Sequence, residues 1–423
     1  MNHLSHMEKL LDGVEVEWKV LAELGELVRG NGLPKTDFTD SGVPAIHYGQ
    51  IYTHYGLSTE TTISFVSPET AKKLKKVNTG DVVITNTSEN LDDVGKALVY
   101  LGKLEAVTGG HATIFKPNKL IIGKYFAYFT QTSTFFSAKR KLAKGTKVID
   151  VSATDMAKIQ IPIPCPDNPE KSLAIQAEIV RILDAFTAMT AELTAELTAE
   201  LNLRKKQYNY YRDQLLSFEE GEVEWKTLGW IGEVRMCKRI MKNETSDIGD
   251  IPFFKIGTFG KEPNAYISRD TFEEYKSKYN YPKVGEILIS ASGTIGRAVI
   301  FNGEDAYFQD SNIVWLENDE SKVLNKFLFY FYQIANWNVS DGGVIKRLYN
   351  DNIKKTLIPV PYPNEPERSL AEQARVVAIL DKFDTLTTSI QEGLPREIEL
   401  RQKQYEYYRD LLLSFPKSTK GAA

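Results

Sequence analysis

Side chains able to do chemistry unaided are few and scattered in this sequence. The two cysteines, Cys165 and Cys237, belong to no CxxC pair, and all five histidines fall at or before His111. Neither a thiolate zinc site nor a disulfide scaffold is expected, and no metal site is assigned. The Asn/Asp-Pro-Pro-aromatic loop that holds a flipped adenine for methylation has no counterpart. The nearest approach to a phosphate loop, ENLDDVGKA, has Asn90 where glycine is required and Ala97 where Ser or Thr should bind magnesium. No GxSxG elbow occurs, so a chain without a catalytic centre of its own is expected.

The sequence does offer side chains suited to phosphates and base edges. Lys139, Arg140 and Lys141 form a basic run next to Thr132, Ser133 and Thr134, whose hydroxyls suit phosphates. A solvated loop would look the same. Lys346 and Arg347 in DGGVIKRLYND stand at what reads as the corresponding place further on, and Gly342 and Gly343 would let backbone approach a duplex. The segment SASGTIGRA puts Ser290, Ser292, Thr294 and Arg297 on a glycine-rich turn, where Arg297 suits guanine, a phosphate or a purely structural surface role. Lys96 stands opposite Arg297 in a longer, more acidic turn carrying Asp92 and Asp93. His47, Tyr48 and Gln50 align with Lys255, Ile256 and Thr258, and Gln50 has the amide that pairs with adenine, although turn or core roles fit as well. Arg235, Lys238, Arg239 and Lys242 make VRMCKRIMK basic, as a phosphate contact or a solvated face would be.

These candidates are positioned by a chain that is one plan written twice. IPIPCPDNPEKSLAIQAEIVRILDAF from Ile161 matches IPVPYPNEPERSLAEQARVVAILDKF from Ile358, and RKKQYNYYRDQLLSF from Arg204 matches RQKQYEYYRDLLLSF from Arg401. Both matches have the same offset of 197, from 161 to 358 and from 204 to 401. EVEWKVL and EVEWKTL open the two copies; GDVVIT resembles GEILIS, and GKALVY resembles GRAVIF. The variable regions read as strand-rich mixed α/β heads with β-branched runs bounded by Gly, Asn and Asp. The proline-rich ends read as extended edges.

The matched tails read as helices. Ser172 and Ser369 sit where N-caps belong. Leu183, Phe186, Leu193 and Leu197, continued by Tyr208, Tyr211, Leu215 and Phe218 and repeated by Tyr405, Tyr408, Leu412 and Phe415, form a coiled-coil stripe. Tyr208, Tyr211 and Arg212, with Tyr405, Tyr408 and Arg409, are therefore read as partner-interface residues and not as base-stacking platforms. Gly393 and Pro395 should break the second tail. The first tail carries TAELTAELTAEL, three strongly helical units that act as a length element. The fold class expected is α+β: two mixed α/β domains separated by two long antiparallel coiled-coil helices, with pseudo-twofold duplication. The segments are 1–160, 161–221, 222–357 and 358–423.

The TAEL run, NPEKSLAIQ, QYxYYRD and the EVEWK openings resemble the specificity subunit of type I restriction–modification enzymes, the type IC subgroup in particular. The resemblance covers essentially the whole chain, and it is specific in the tails and generic in the heads. It implies two recognition domains that each read one part of a split asymmetric site in double-stranded DNA. It implies helices that dock two methyltransferase subunits, with two restriction subunits joining for cleavage. S-adenosylmethionine, ATP and Mg belong, on this resemblance, to those partners and not to this chain. A purely structural adaptor and a free-standing methyltransferase or nuclease are the rival readings.

Composition agrees. The chain has 423 residues, 52 Lys+Arg against 56 Asp+Glu, and a formal charge of -4, which excludes a protein that holds nucleic acid by bulk charge. Much of the phosphate grip would then come from partner subunits. No stretch nears 18 apolar residues and the start lacks a signal-peptide core, so no membrane association and a cytoplasmic location are expected.

Overall fold

The computed structural model describes residues 13–218, 223–337, 339, 346–388 and 393–415; Gly342 and Gly343 lie outside them. Two compact units emerge. One is Met1–Glu196 with Ile398–Ala423, and the other is Leu197–Glu397.

Both units are built on the same small device. Val16–Val20 pairs antiparallel with Gln160–Pro164, and Val223–Thr227 with Leu357–Pro361, in the same register: Trp18 stands opposite Pro162 and Trp225 opposite Pro359. The prolines cost no ladder bond because each such sheet has only two strands. The first head adds two five-stranded sheets, the larger ordered Gly25–Arg29, Ala112–Pro117, Val82–Thr85, Ala97–Tyr100, Ser58–Thr59. The second head has the counterpart order Gly232–Arg235, Ile313–Asn318, Ile287–Ser290, Ala298–Ile300, and a three-stranded sheet beside it. In each head an aromatic-rich helix packs on the main sheet: Gly123–Phe129 buries Tyr125, Phe126 and Phe129, and Asn325–Tyr332 buries Phe327, Leu328 and Phe331.

The chain leaves each proline strand through one left-handed residue, Cys165 (φ 49°) and Tyr362 (φ 46°), again 197 apart. Helices start at Pro169 and Pro366, where the missing N–H is harmless. Ser172 and Ser369 are therefore not N-caps. The Lys171 N–H bonds Asn168 Oδ1 at 3.0 Å, so Asn168 caps the first helix, and both serines are buried a turn further in. Each serine instead accepts from a fully buried glutamine one turn on, Gln176 at 3.1 Å and Gln373 at 3.2 Å. Gln176 also accepts the Ile122 N–H and donates to the Leu120 carbonyl, while Gln373 accepts the Leu324 N–H and donates to the Lys322 carbonyl. Four buried polar groups thus close on one another at the joint between head and helix, in duplicate.

The first tail is one helix of 47 residues, Pro169–Leu215, continuous through the TAEL units and about 70 Å long at 1.5 Å per residue. The second tail is broken as Gly393 and Pro395 predict, into Pro366–Thr388 and Leu394–Leu412, with the Gly393 carbonyl accepting the first free N–H groups of the latter. In the first unit Phe186 meets the Tyr408 ring at 6.1 Å and Thr187 meets the Tyr405 hydroxyl at 3.0 Å, an antiparallel pairing. Its counterpart in the second unit is Tyr211 stacked on Phe383 at 5.4 Å.

The apolar stripe also serves the heads. Leu183 joins the first head's core, together with Leu412, Leu413 and Phe415 from the end of the second tail. Tyr208 and Leu216, from the end of the first tail, join the second head's core. The tail of each repeat therefore finishes in the unit of the other repeat's head. Cys165 and Cys237 are free, buried thiols. Among the described residues no helix is long and apolar enough to cross a membrane.

Candidate nucleic-acid interface

Several of the sequence-identified residues of the second head converge on one loop, Gln309–Asn312, that follows the short strand Tyr307–Phe308. Parallel pairing of Phe254 with Phe308 sets Lys255 beside this loop. The Ile256 N–H donates to Gln309 Oε1 at 3.0 Å. Arg239 Nε donates to Asp310 Oδ2 at 2.9 Å, Arg347 Nη2 to the Ser311 carbonyl at 2.7 Å, and the Ser292 hydroxyl to Asn312 Oδ1 at 2.9 Å. Ser311 is held in the left-handed region at φ 52°, which a non-glycine residue adopts only where its surroundings enforce it. A cleft of about 290 Å³ opens there, lined by Arg239, Lys242, Lys255, Gln309 and Asn312 among others.

The first head repeats this construction with different side chains. Parallel pairing of Ile46 with Thr108 sets His47 beside the loop that ends at His111. The Thr87 hydroxyl lies 3.0 Å from His111 Nδ1, in the place of the Ser292–Asn312 bond. The Tyr48 ring lies between the two imidazoles, 4.6 Å from His47 and 4.9 Å from His111. Burial, then the positive charge of Lys35 and of His111, lowers the His47 pKa. The two glycine turns also correspond. Gly95 and Gly296 are left-handed (φ 76° and 80°), the Thr85 and Ser290 N–H groups donate to the Lys96 and Arg297 carbonyls at 2.9 Å, and Lys96 stands opposite Arg297 as aligned.

The structure sorts the remaining candidates. Thr132 and Lys139 are 3% and 4% exposed, so neither is a nucleic-acid contact. Thr132 caps the helix Ser133–Leu142, and its hydroxyl donates to the Phe129 carbonyl at 2.8 Å. Lys139 lies on that helix's inner face and donates to the Asp92 and Val94 carbonyls at 3.1 and 2.6 Å; burial pushes its pKa down to about 8. Arg140 and Lys141 remain exposed on the outer face. Ser133 is exposed, and its N–H donates to Asp410 at 3.1 Å.

The counterpart of Arg347 is not the Lys139–Lys141 run. Arg347 bridges to Ser292 as Asp150 pairs with Thr87, and Asp150 lies 197 residues before it. Lys346 is exposed beside Arg347. The Gln50 amide is engaged at both ends, its oxygen accepting the His47 N–H at 3.4 Å and its NH2 donating to Ser64 at 2.6 Å. Arg297 is half-buried with Nη1 on the Phe259 carbonyl at 3.0 Å. Lys96 is exposed and pairs with Asp93 at 2.7 Å, and Thr294 is exposed on its turn. Arg235 pairs with Glu317 at 2.9 Å, and Lys238 stands 5.3 Å over the Tyr279 ring. Sequence reasoning missed Thr87, Gln309, Asp310, Ser311 and Asn312, and left His111 without a role. Only the long-range strand pairing, which spacing does not reveal, brings them to the site.

The tail residues knit the chain to itself. The Tyr208 hydroxyl donates to Gln333 at 2.8 Å and Arg212 reaches the same oxygen at 3.4 Å, while Arg409 binds Asp410 and lies 5.9 Å over Tyr405. Tyr210 and Tyr407, one residue from the stripe, are the tyrosines of these motifs that face outward most. Among the described residues no group of three or more His, Cys, Asp or Glu is placed to hold a metal ion.

Comparison with known proteins places this geometry in context. The model of the type I restriction modification DNA specificity domain matches twice, over residues 14–203 and 220–400. A chain named as a type I restriction enzyme specificity subunit of Haemophilus influenzae is 47% identical over 98% of this chain and 99% of its own length. A type I restriction enzyme specificity subunit of Escherichia coli is 39% identical over 99% of this chain and 98% of its own. The fold matches a chain in an assembly of a type I restriction–modification system (TM-score 0.60, 15% identity, 94% and 97% of the two chains). It also matches a specificity subunit from Thermoanaerobacter tengcongensis (TM-score 0.51, 14% identity, 94% and 95%).

Proposed function

The chain belongs to the type I restriction–modification DNA specificity family, and on that premise we propose that it selects the target of such a complex, each head reading one part of a split, asymmetric duplex site. The observation that carries this reading is the duplicated loop cluster. The framework bonds are the same in both heads, Thr87 to His111 and Ser292 to Asn312. The side chains offered on that framework differ: His47 against Lys255, Lys96 against Arg297, His111 against Asn312. A shared scaffold with unlike reading groups is what recognition of two unlike half-sites requires, since base edges are distinguished by donor and acceptor pattern.

Chemistry is left to partners. The helices dock two methyltransferase subunits, which use S-adenosylmethionine to modify adenine, and two ATP- and Mg-dependent restriction subunits join the complex for cleavage. The relatives' names as specificity subunits, and the match to a chain of a type I assembly, support association with such subunits. The formal charge of -4 fits a reader whose partners supply much of the phosphate grip, so the isolated chain should bind duplexes weakly, with a salt dependence shallower than that of the whole complex.

The test is to replace the second head by that of a relative and to map modified adenines in the host genome. One half of the modified site should change while the other stays. An unaltered site would mean an adaptor that touches no bases, and methyl transfer by the purified chain alone would mean a free-standing enzyme.

A further inference from the structure

The Arg239–Asn312 cleft of the second head is unusual in which of its polar atoms are already engaged. The Gln309 side chain has its oxygen fixed on the Ile256 N–H, and a backbone N–H can only donate, so the amide cannot be turned over. Its NH2 is thereby presented to the cleft. Asn312 is bound to the Ser292 hydroxyl at 2.9 Å, a partner that can serve either end of its amide. The cleft's carboxylate, Asp310, is bound by Arg239, and the Thr245 hydroxyl donates to the Lys242 carbonyl at 2.9 Å. What remains at the cleft is a lining in which donors predominate, the Gln309 NH2 with the Lys242 and Lys255 ammonium groups, against the second oxygen of Asp310 and the Ser311 hydroxyl.

A lining in which donors predominate favours acceptors. In the major groove guanine shows two neighbouring acceptors, N7 and O6, whereas adenine and cytosine each show an amino donor that this lining would oppose, and thymine shows one acceptor beside a methyl group. We infer that the Gln309–Asn312 loop reads a guanine in the half-site recognised by the second head. This rests on the function proposed above and names the base class that one head selects. A backbone phosphate is the other acceptor that such donors could meet, but it would carry no sequence information.

Gln309→Glu separates the two. The glutamate keeps an oxygen for the Ile256 N–H and turns the outward donor into an acceptor. The full chain, co-expressed with its methyltransferase subunits, is assayed by modified-base sequencing and by selection from a randomised duplex pool. The wild type should require a guanine at one position of the second half-site. Gln309→Glu should lower preference for that guanine by roughly tenfold or more, with cytosine favoured in its place, and leave the first half-site unaltered. The unaltered first half-site also reports that the complex has assembled. Asn312→Asp is the second variant if the first does not fold, and it should act at the same or the adjoining base pair.

Uniform loss of binding at every sequence would assign the cleft to a phosphate and overturn the inference, as would a second half-site without an essential G·C pair. If exchanging whole heads also left the modified site unchanged, the proposed function itself would fail, which is a different result from either of these.

Discussion

Single residues show how far a side chain's type is from its role. Lys139 belongs to the most basic run of the first head, yet it is buried, with its ammonium on two carbonyls of the Asp92–Val94 turn. Lys139→Met should cost about 1–3 kcal/mol at pH 7, because those carbonyls lose their partner. Its folded pKa, about 8 against an ordinary 10.5, gives the pH dependence a sign. Below pH 8 the amine is charged in both states. Between 8 and 10.5 the unfolded chain binds the proton and the fold does not, so this group's contribution to stability rises with pH. The gap between wild type and Lys139→Met in thermal unfolding should widen across that window, and a constant gap would contradict the assignment. Arg140, its neighbour, is exposed, and nothing in a run of three basic letters says which of them turns inward. The same limit hid Gln309 and His111. Their meaning comes from parallel strand pairs joining segments more than fifty residues apart, and spacing along the chain does not reveal such pairs.

At the scale of elements the sequence was far more legible. The offset of 197 located both proline strands and both tail helices, and Gly393 with Pro395 the break in the second, because helix periodicity and proline chemistry are local. The serines are not caps: the motif SLAIQ/SLAEQ encodes a buried Ser–Gln lock. Gln176→Leu and Gln373→Leu should each cost about 2–4 kcal/mol in chemical denaturation, since each strands a buried N–H and a carbonyl of its head. Nearly equal losses would reflect the identical bonding, and a loss in only one copy would count against the duplicated lock. The TAEL run is continuous helix, and one unit adds about 6 Å to it. Deleting one unit should change the gap between half-sites by about one to two base pairs, about 6 Å of helix against a rise of about 3.4 Å per base pair. Genome-wide modified-base mapping checks this, and an unchanged gap would refute the length role.

For the whole molecule, the notable fact is that the compact units do not coincide with the repeats. The first unit is completed by the last residues of the second tail, where Leu412, Leu413 and Phe415 are buried and Asp410 accepts the Ser133 N–H. Burial of three such side chains is worth about 1.5–3 kcal/mol each. A chain ending at Glu397 should therefore lose hydrogen-exchange protection in residues 13–196 while residues 223–388 keep theirs. Loss confined to the second unit would contradict this composition. Each repeat thus supplies the end that packs into the other repeat's head.

If two heads on one duplicated frame each read their own half-site, copying the second head into the place of the first should make the target symmetric. Modified-adenine sequencing of cells carrying that variant with its partner subunits should find the second half-site twice, as an inverted repeat, in place of the asymmetric target. Retention of the original asymmetric site, or modification without sequence preference, would mean that the heads do not each read a half-site.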